Sequence, residues 1–338
     1  MGGNIWKNQS LRLEKTDYFK YCEQVTNILN NFGIIDNLHI VQALRDKTDF
    51  GDMDIVLSVK PNQDLITPLR CLLDGAGYTT STNGNVLSFL FNSFQIDLIC
   101  VPQAQYDYAC KYFSNSDLGN LIGRMLKQFG FKHGWQGLYY PQRSDVEEST
   151  SNGAEHVVKE HLLSLNYYKT LEIAQLDTDK FKDGFNTMEE MFQWIVQSPL
   201  FNPHIFKFEN LNHTNKVRDR KRKTYNAFLV WLEKNGWFDK DLPYKKLSKK
   251  EKREYVLQHF PSVQKDIEEV EEQIRIHKIC KSKFNGELVM QLTNLSGKEL
   301  GSLMKILKPL TTDNIIYNMN KQEIELLIVN TYETIKHV

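Results

Sequence analysis

Apolar residues recur with helical spacing in some stretches of the first 105 residues and in short β-rich runs in others. The helical spacing predicts helices over residues 17–32 and 63–77, each closed by glycine. Runs of β-branched and aromatic residues predict four strands, with a hairpin connection at Asn92–Ser93 between the last two: 38–44, 54–59, 86–91 and 94–101. Together these elements predict a small mixed β-sheet flanked by helices.

The pattern changes along the rest of the chain. A helix is predicted at 118–131 and a strand at 135–140, followed by a polar, exposed loop at 144–156. From residue 161 onward the spacing is mostly helical, with breaks at Pro203 and Pro243 and a glycine-containing turn at Ser296–Gly297. We therefore expect an α+β protein with three domains. They are an N-terminal helix with the sheet (1–105), a small α/β domain (106–200) and an all-helical C-terminal domain (201–338).

Composition narrows the class of protein. No apolar run reaches the ~18 residues of a membrane span, and the N-terminus lacks the apolar stretch of a signal peptide. The five cysteines are scattered without CxxC or zinc spacing. We expect an intracellular protein with reduced thiols and no membrane partner; cytoplasm, nucleus and nucleoid are not distinguished.

Charge is neutral in sum, with 42 basic and 42 acidic residues, but it is unevenly distributed. Residues 216–223 carry six basic residues against one acid, a pattern open to two interpretations: a solvated helix face or a phosphate-binding surface. The predicted nucleic-acid contacts are Lys216, Arg218, Arg220, Lys221, Arg222 and Lys223. The aromatic residues that follow, Tyr225, Phe228 and Trp231, have the spacing of a buried helix face, and we expect them in the core.

The segment TDFGDMDIVLSV (48–59) places two aspartates, Asp52 and Asp54, at the start of a predicted strand. Residues i and i+2 of a strand point to the same face, so the two carboxylates project together. Alone, this pattern is more often a turn or a cap. A third aspartate, Asp97, lies inside the apolar run FQIDLICV, where an unpaired carboxylate is costly to bury.

If the strands 54–59 and 94–101 pair, all three aspartates face one site. Hard oxygen ligands of this kind suit Mg²⁺ or Mn²⁺. Three such carboxylates meet the requirement of a two-ion phosphoryl-transfer centre. One ion lowers the pKa of an attacking 3′-hydroxyl, and the other holds the triphosphate and the leaving pyrophosphate.

The segments GDMDIVLS and IDLICVPQAQYDYACKYFSNSDLGN resemble the palm and thumb of the family X DNA polymerases, the DNA polymerase beta-like nucleotidyltransferases. The similarity runs from about residue 41 to 140, and more loosely to about 200. It implies that Asp52, Asp54 and Asp97 bind two Mg²⁺ or Mn²⁺ ions as catalytic residues. It also implies nucleoside triphosphates and nucleic acid as partners.

The stretch YFSNSD (112–117) resembles the family's YFTGSD segment. The resemblance implies that Tyr112 and Phe113 lie against the sugar of the incoming nucleotide. Asp117, Asn120 and Arg124 match residues placed around the incoming base and its template partner. These positions are i, i+3 and i+7, which is one face of a helix, and Ser116 is expected to cap that helix. The other interpretation of this stretch is an ordinary amphipathic surface helix.

The chain also departs from the family. Gln42–Ala43 stands where the triphosphate loop usually opens with Gly-Ser, so Arg45 and Lys47 are the candidate cations for the triphosphate. Asn115 replaces a glycine and tolerates left-handed backbone angles. Only about 38 residues precede the palm, so base-excision DNA repair by the family's full mechanism is not expected of this chain.

A second likeness covers FNGELVMQLTNLSGKELGSLMKIL (284–307), which resembles the tail of bacterial-type tRNA nucleotidyltransferases and poly(A) polymerases. Common helix-turn-helix composition also explains it. Three hypotheses therefore stay open. The leading one is deoxynucleotide addition to a 3′-hydroxyl of a DNA primer, the second is nucleotide addition to RNA 3′ ends, and the third is a non-catalytic nucleic-acid-binding relic of the fold.

Overall fold

The computed structural model describes residues 5–6, 10–61, 63–143 and 157–336, so the loop predicted at 144–156 lies outside the described residues. The chain forms two compact units. The first comprises Met1–Pro141 and Glu160–Pro261, and the second is mainly Ser262–Val338. The architecture is mixed α and β, with a mixed sheet and many helices, as the sequence predicts at this level.

Five strands of the first unit form its main sheet, in the spatial order β2-β4-β7-β6-β5. Strand β4 runs parallel to β7, and the other neighbours in this sheet are antiparallel. The strands of the sheet are β2 (Leu38–Ile40), β4 (Asp52–Val59), β5 (Thr80–Asn83), β6 (Val86–Phe91) and β7 (Phe94–Pro102). Two short strands, β1 (Leu13–Glu14) and β3 (Asp49–Phe50), pair separately.

The hairpin between β6 and β7 turns at Asn92 and Ser93, with φ of 47° and 62°. Two consecutive left-handed residues match the twist of a tight hairpin, which confirms the connection predicted there. Strand β2 ends at Ile40, although the apolar pattern predicted a strand to residue 44. β5 was not predicted, because Thr80–Asn83 has no apolar alternation.

Two helices, α1 (Lys15–Asn31) and α2 (Ile66–Gly75), confirm the predicted helical spacing. They share one hydrophobic core with the sheet, to which Val25, Leu29, Leu69 and Leu73 contribute fully buried side chains. From the sheet, alternate residues of β4 and β7 enter this core: Met53, Ile55, Leu57, Ile96, Leu98 and Cys100. The intervening positions of both strands therefore point to the opposite face.

The opposite face of the sheet packs on α3 (Tyr106–Phe113). Val56, Ile99 and Val101 from the sheet meet Ala109 and Cys110 from the helix. This face also carries the carboxylates of β4 and β7.

The rest of the first unit is mostly helical. A three-stranded sheet has the order β10-β9-β8, and the helical prediction for 161–164 was wrong because β10 extends to Ser164. The elements are α4 (Leu118–Lys127), β8 (Lys132–Gly134), β9 (Gly137–Arg143), β10 (Val157–Ser164), α5 (Tyr167–Ile173), α6 (Thr178–Asp183), α7 (Met188–Val196), α8 (His213–Asp219), α9 (Lys223–Lys234) and α10 (Lys249–His259). A short 3-10 helix begins at Pro203, at the predicted break.

The second unit has its own hydrophobic core, which includes Cys280, Phe284 and Leu303. Its helices are α11 (Gln264–Lys283), α12 (Gly286–Thr293), α13 (Gly297–Leu307), α14 (Pro309–Thr312) and α15 (Lys321–Lys336). The turn predicted at Ser296–Gly297 opens α13, with Gly297 at φ 56°. Within the described ranges, no helix is long and apolar enough to cross a membrane.

Candidate metal centre and nucleotide cleft

Asp52, Asp54 and Asp97 meet on the α3 side of the main sheet. Strands β4 and β7 pair in parallel with Asp54 directly beside Asp97, and Asp52 lies two residues earlier on the same face. One carboxylate oxygen from each residue lies within 4.8 Å of the others. The strand pairing on which the predicted constellation depended is therefore present, and three carboxylates surround one point that could hold a metal ion.

The electrostatics of this cluster favour a cation. Burial, together with the charges of Asp52 and Asp97, raises the pKa of Asp54 to about 7. Burial also raises the pKa of Asp97, with hydrogen bonds from Ser88 and Gln95 opposing it. A divalent ion between the oxygens would offset the burial and the mutual repulsion of the carboxylates, because opposite charge favours their ionised form. Hard oxygen donors at this spacing fit Mg²⁺ or Mn²⁺.

Gln95 holds the third carboxylate in place. It is 2% exposed, and its side-chain amide donates to both oxygens of Asp97 at 2.9 Å. The side-chain oxygen Oε1 of Gln95 accepts a hydrogen bond from the backbone N–H of Ile5 at 3.2 Å. Gln95 was not predicted from the sequence. The available signal was a second polar side chain two positions before Asp97, on the same face of the apolar strand.

The two cations proposed for the triphosphate occupy different surroundings. The Lys47 ammonium lies over the ring of Phe50 at 4.4 Å. Burial lowers the pKa of Lys47, and the charges of Asp52 and Asp54 oppose that shift. The ammonium of Lys47 therefore lies close enough to Asp52 and Asp54 to feel their charge.

Arg45 points instead to the segment Asp183–Asn186. Its guanidinium donates to the backbone carbonyl of Asp183 and, at 3.4 Å, to the side chain of Asn186. The backbone N–H of Arg45 donates to the carbonyl of Phe185 at 3.1 Å. These bonds anchor the loop that follows β2, and they give Arg45 a structural role in that loop.

The predicted sugar-contacting pair sits at the end of α3. Tyr112 packs edge-on against Phe113 and against His133, with ring centroids 5.4 and 5.0 Å away. The turn after Phe113 has Asn115 at φ 58°, so asparagine adopts the left-handed conformation expected of it. Ser116 does not cap α4 as predicted. It is itself left-handed at φ 63°, and the N-cap position falls at Asp117, whose side chain makes no capping bond.

The polar face of α4 is bound by the basic segment of the same unit. Asp117 pairs with Arg222, and Asn120 accepts a hydrogen bond from Arg218 at 3.3 Å. The third member of the face, Arg124, pairs with Asp219, and both side chains are buried. The predicted base-contacting residues and part of the predicted nucleic-acid-binding segment therefore contact each other.

The other basic residues of the segment 216–223 differ in how exposed their side chains are. Arg220, Lys221 and Lys223 are exposed, and Lys216 is half-buried. Two of the three aromatic residues of α9 lie in the core as predicted, since Tyr225 and Phe228 are fully buried. Trp231 is half-buried and stacks on Phe228.

A scan against models of protein families found no matching family, and a search of curated proteins found no matching protein. Function therefore has to be argued from the residues and their geometry.

Proposed function

We propose that this protein is a nucleotidyltransferase that adds nucleoside monophosphates to a 3′-hydroxyl, with release of pyrophosphate. In this proposal the main sheet is the palm, residues 106–200 form a thumb-like domain, and deoxynucleotides on a DNA end are the leading substrates. The single observation that carries it is the meeting of Asp52, Asp54 and Asp97 within 4.8 Å on adjacent parallel strands.

The three carboxylates fit a divalent-metal centre for reasons beyond their number. They come from two adjacent paired strands, β4 and β7, and Gln95 restricts the rotation of Asp97. When bound, two Mg²⁺ or Mn²⁺ ions would activate the attacking hydroxyl and neutralise the triphosphate and the leaving pyrophosphate. Three carboxylates gathered on one face of two adjacent strands, with the pKa of Asp54 and that of Asp97 both raised, mark a candidate functional site.

The chain's own residues supply position and charge around that centre. Lys47 brings a cation to the edge of the cluster, which suits a phosphate of the incoming nucleotide. Tyr112 and Phe113 offer two neighbouring aromatic rings, suited to contact with a sugar. The bonds from Asp183–Asn186 to Arg45 hold the loop that carries Lys47.

The test is a primer-extension assay with labelled DNA, single dNTPs and Mg²⁺ or Mn²⁺, using wild-type protein, Asp97→Asn and Asp97→Ala. Both variants should lose at least about 1,000-fold in rate, because the metal ligand set is broken. Asp36→Asn is the matched control, since Asp36 makes only a surface ion pair with Lys60. It should retain wild-type activity.

Loss of activity has to be separated from loss of folding. Asp97→Asn keeps the size of the side chain, so its thermal unfolding should resemble that of the wild type or show higher stability. Extension at the wild-type rate by Asp97→Ala would rule out the metal centre. Ribonucleotides offered on RNA ends in parallel reactions distinguish the second candidate, RNA 3′-end addition.

A further inference from the structure

We propose that the N-terminal segment of this chain positions the metal ligand Asp97, and that it does so through Gln95. The backbone N–H of Ile5 fixes the orientation of the Gln95 side-chain amide, and the amide in turn fixes the direction of the Asp97 carboxylate. This inference names a positioning element of the metal centre in the proposed function, and it rests on that function.

The orientation of the Gln95 amide follows from its two neighbours. A glutamine amide can face either way, because its oxygen and nitrogen ends have nearly the same shape. The side chain of Gln95 is 2% exposed, so neither end can turn to water instead. The backbone N–H of Ile5 can only donate, and it therefore selects the oxygen end and leaves the nitrogen end to Asp97. With the amide reversed, an oxygen would face a carboxylate.

Gln95 also lies where the two aspartate-bearing strands meet. It is beside Asp52 in the parallel register of β4 and β7, and two residues before Asp97 on the same face. Its nitrogen is 2.9 Å from both carboxylate oxygens of Asp97, which restricts the rotation of that carboxylate. A reversed amide would therefore turn a ligand from β7 away from its neighbours on β4.

The N-terminal segment has a defined position on this part of the sheet. The backbone N–H of Leu11 donates to the carbonyl of Ser93 at 2.7 Å, immediately before β7. Leu13 pairs with Phe50 at the end of β3, two residues before β4 begins. The segment that carries Ile5 is thus attached at the starts of both strands that supply the aspartates.

Arg12 fits the same segment closely against β4. Its Nε donates to both carboxylate oxygens of Asp49, at 2.9 and 2.7 Å. Its Nη1 lies 2.6 Å from the place where a Cβ on Gly51 would stand, and Gly51 directly precedes Asp52. The guanidinium can occupy this place only because residue 51 has no side chain. A segment held this firmly can position a neighbouring side chain.

The experiment measures the Kd of Mn²⁺ by electron paramagnetic resonance of the free ion, in wild-type protein and in Ile5→Pro. Proline has no backbone N–H, so the variant removes the donor to Gln95. We expect the Kd to rise about fivefold, as the loss of one hydrogen bond would give. Ile5→Ala is the matched control: it removes most of the side chain and keeps the N–H, so its Kd should equal that of the wild type.

A double-mutant cycle separates positioning from a general loss of stability. Gln95→Met removes the amide at similar side-chain length and should raise the Kd of Mn²⁺ about tenfold or more. Ile5→Pro added to Gln95→Met should raise it no further, because the N–H then has no amide to orient. Effects that multiply in the double variant would overturn the inference. If Ile5→Pro does not fold, deletion of residues 2–6 takes its place in the cycle.

Failure of this inference and failure of the proposed function give different results. If Asp97→Ala no longer binds Mn²⁺ while Ile5→Pro binds it as the wild type does, the metal centre stands and only the role of the N-terminal segment is refuted. If Asp97→Ala binds Mn²⁺ with the wild-type Kd, the metal centre and this inference are both refuted.

Discussion

The ionised carboxylate of Asp54 lowers the stability of the folded protein when no cation is bound. Replacing Asp54 with asparagine should show this loss of stability directly. The pKa of Asp54 rises from its ordinary value of 3.8 to about 7, chiefly through burial and then through the charges of Asp52 and Asp97. In the metal-free protein Asp54→Asn should therefore be more stable than the wild type at pH 8, although it removes a predicted metal ligand.

The magnitude follows from linkage between protonation and folding. A rise from 3.8 to about 7 corresponds to a ceiling of about 4 kcal/mol, at about 1.4 kcal/mol per pKa unit. Asp54 is half-buried and shares its repulsion with two other carboxylates, so we expect about half of this, roughly 2 kcal/mol. For a unit of this size that is a rise of about 5 °C in unfolding temperature.

The sign of the pH dependence is equally specific. Because the folded-state pKa is raised, the wild type loses stability as pH rises from about 4 to about 7. Asparagine does not titrate, so the difference in stability between variant and wild type should already have reached about a third of its final size at pH 5, grow up to about pH 7, and stay constant above it.

The assay is thermal unfolding from pH 5 to 8 in EDTA and then in Mn²⁺, with Asp36→Asn as control. Mn²⁺ at about 100 times its Kd should stabilise the wild type by about 2.7 kcal/mol and Asp54→Asn by far less. If metal-free Asp54→Asn is no more stable than the wild type at pH 8, the reasoning about carboxylate repulsion is wrong. If Mn²⁺ stabilises both proteins equally, Asp54 is not a ligand.

Two further predictions concern packing and buried charge. A Cβ at Gly119 would lie 2.8 Å from both the ring and the carbonyl oxygen of Tyr112, so Gly119→Ala should destabilise by about 2–3 kcal/mol. In Gly301→Ala the new methyl group has no heavy atom within 4 Å. The higher helix propensity of alanine should therefore raise the free energy of unfolding by about 0.5–1 kcal/mol, and thermal unfolding of both variants tests the contrast. Asp219→Asn leaves Arg124 buried without its counter-charge and should cost about 3 kcal/mol in urea unfolding, and equal midpoints would refute this.

Much of the carboxylate centre was predictable because it depends on local pattern. The period-two alternation in β4 puts Asp52 and Asp54 on one face, and Asp97 joins them once β4 and β7 pair, a condition that the sequence alone does not supply. The main helices followed from apolar spacing in the same way. Gln95 was missed because an amide in a strand has no distinctive sequence signature.

The partners of the polar residues on α4 could not be predicted from the sequence. The i, i+3, i+7 spacing correctly placed Asp117, Asn120 and Arg124 on one side of a helix. It carried no information about what covers that side, since the covering residues lie about 100 positions later in the chain. Residues 161–164 were predicted to be helical for a related reason. They belong to β10, which pairs with β9, and local propensity does not reveal which strand a segment will pair with.

The position of Asp97 on β7 also protects the sheet against misalignment. This strand is the last of its sheet along the chain, yet it inserts between β4 and β6. A slip of one residue would turn Asp97 and Gln95 into the core now filled by Ile96 and Leu98, and would bring those apolar side chains to the polar face. A carboxylate in that core has no partner, so the slipped pairing is heavily penalised. The same side chain that would hold the cation thus also enforces strand register as the sheet forms.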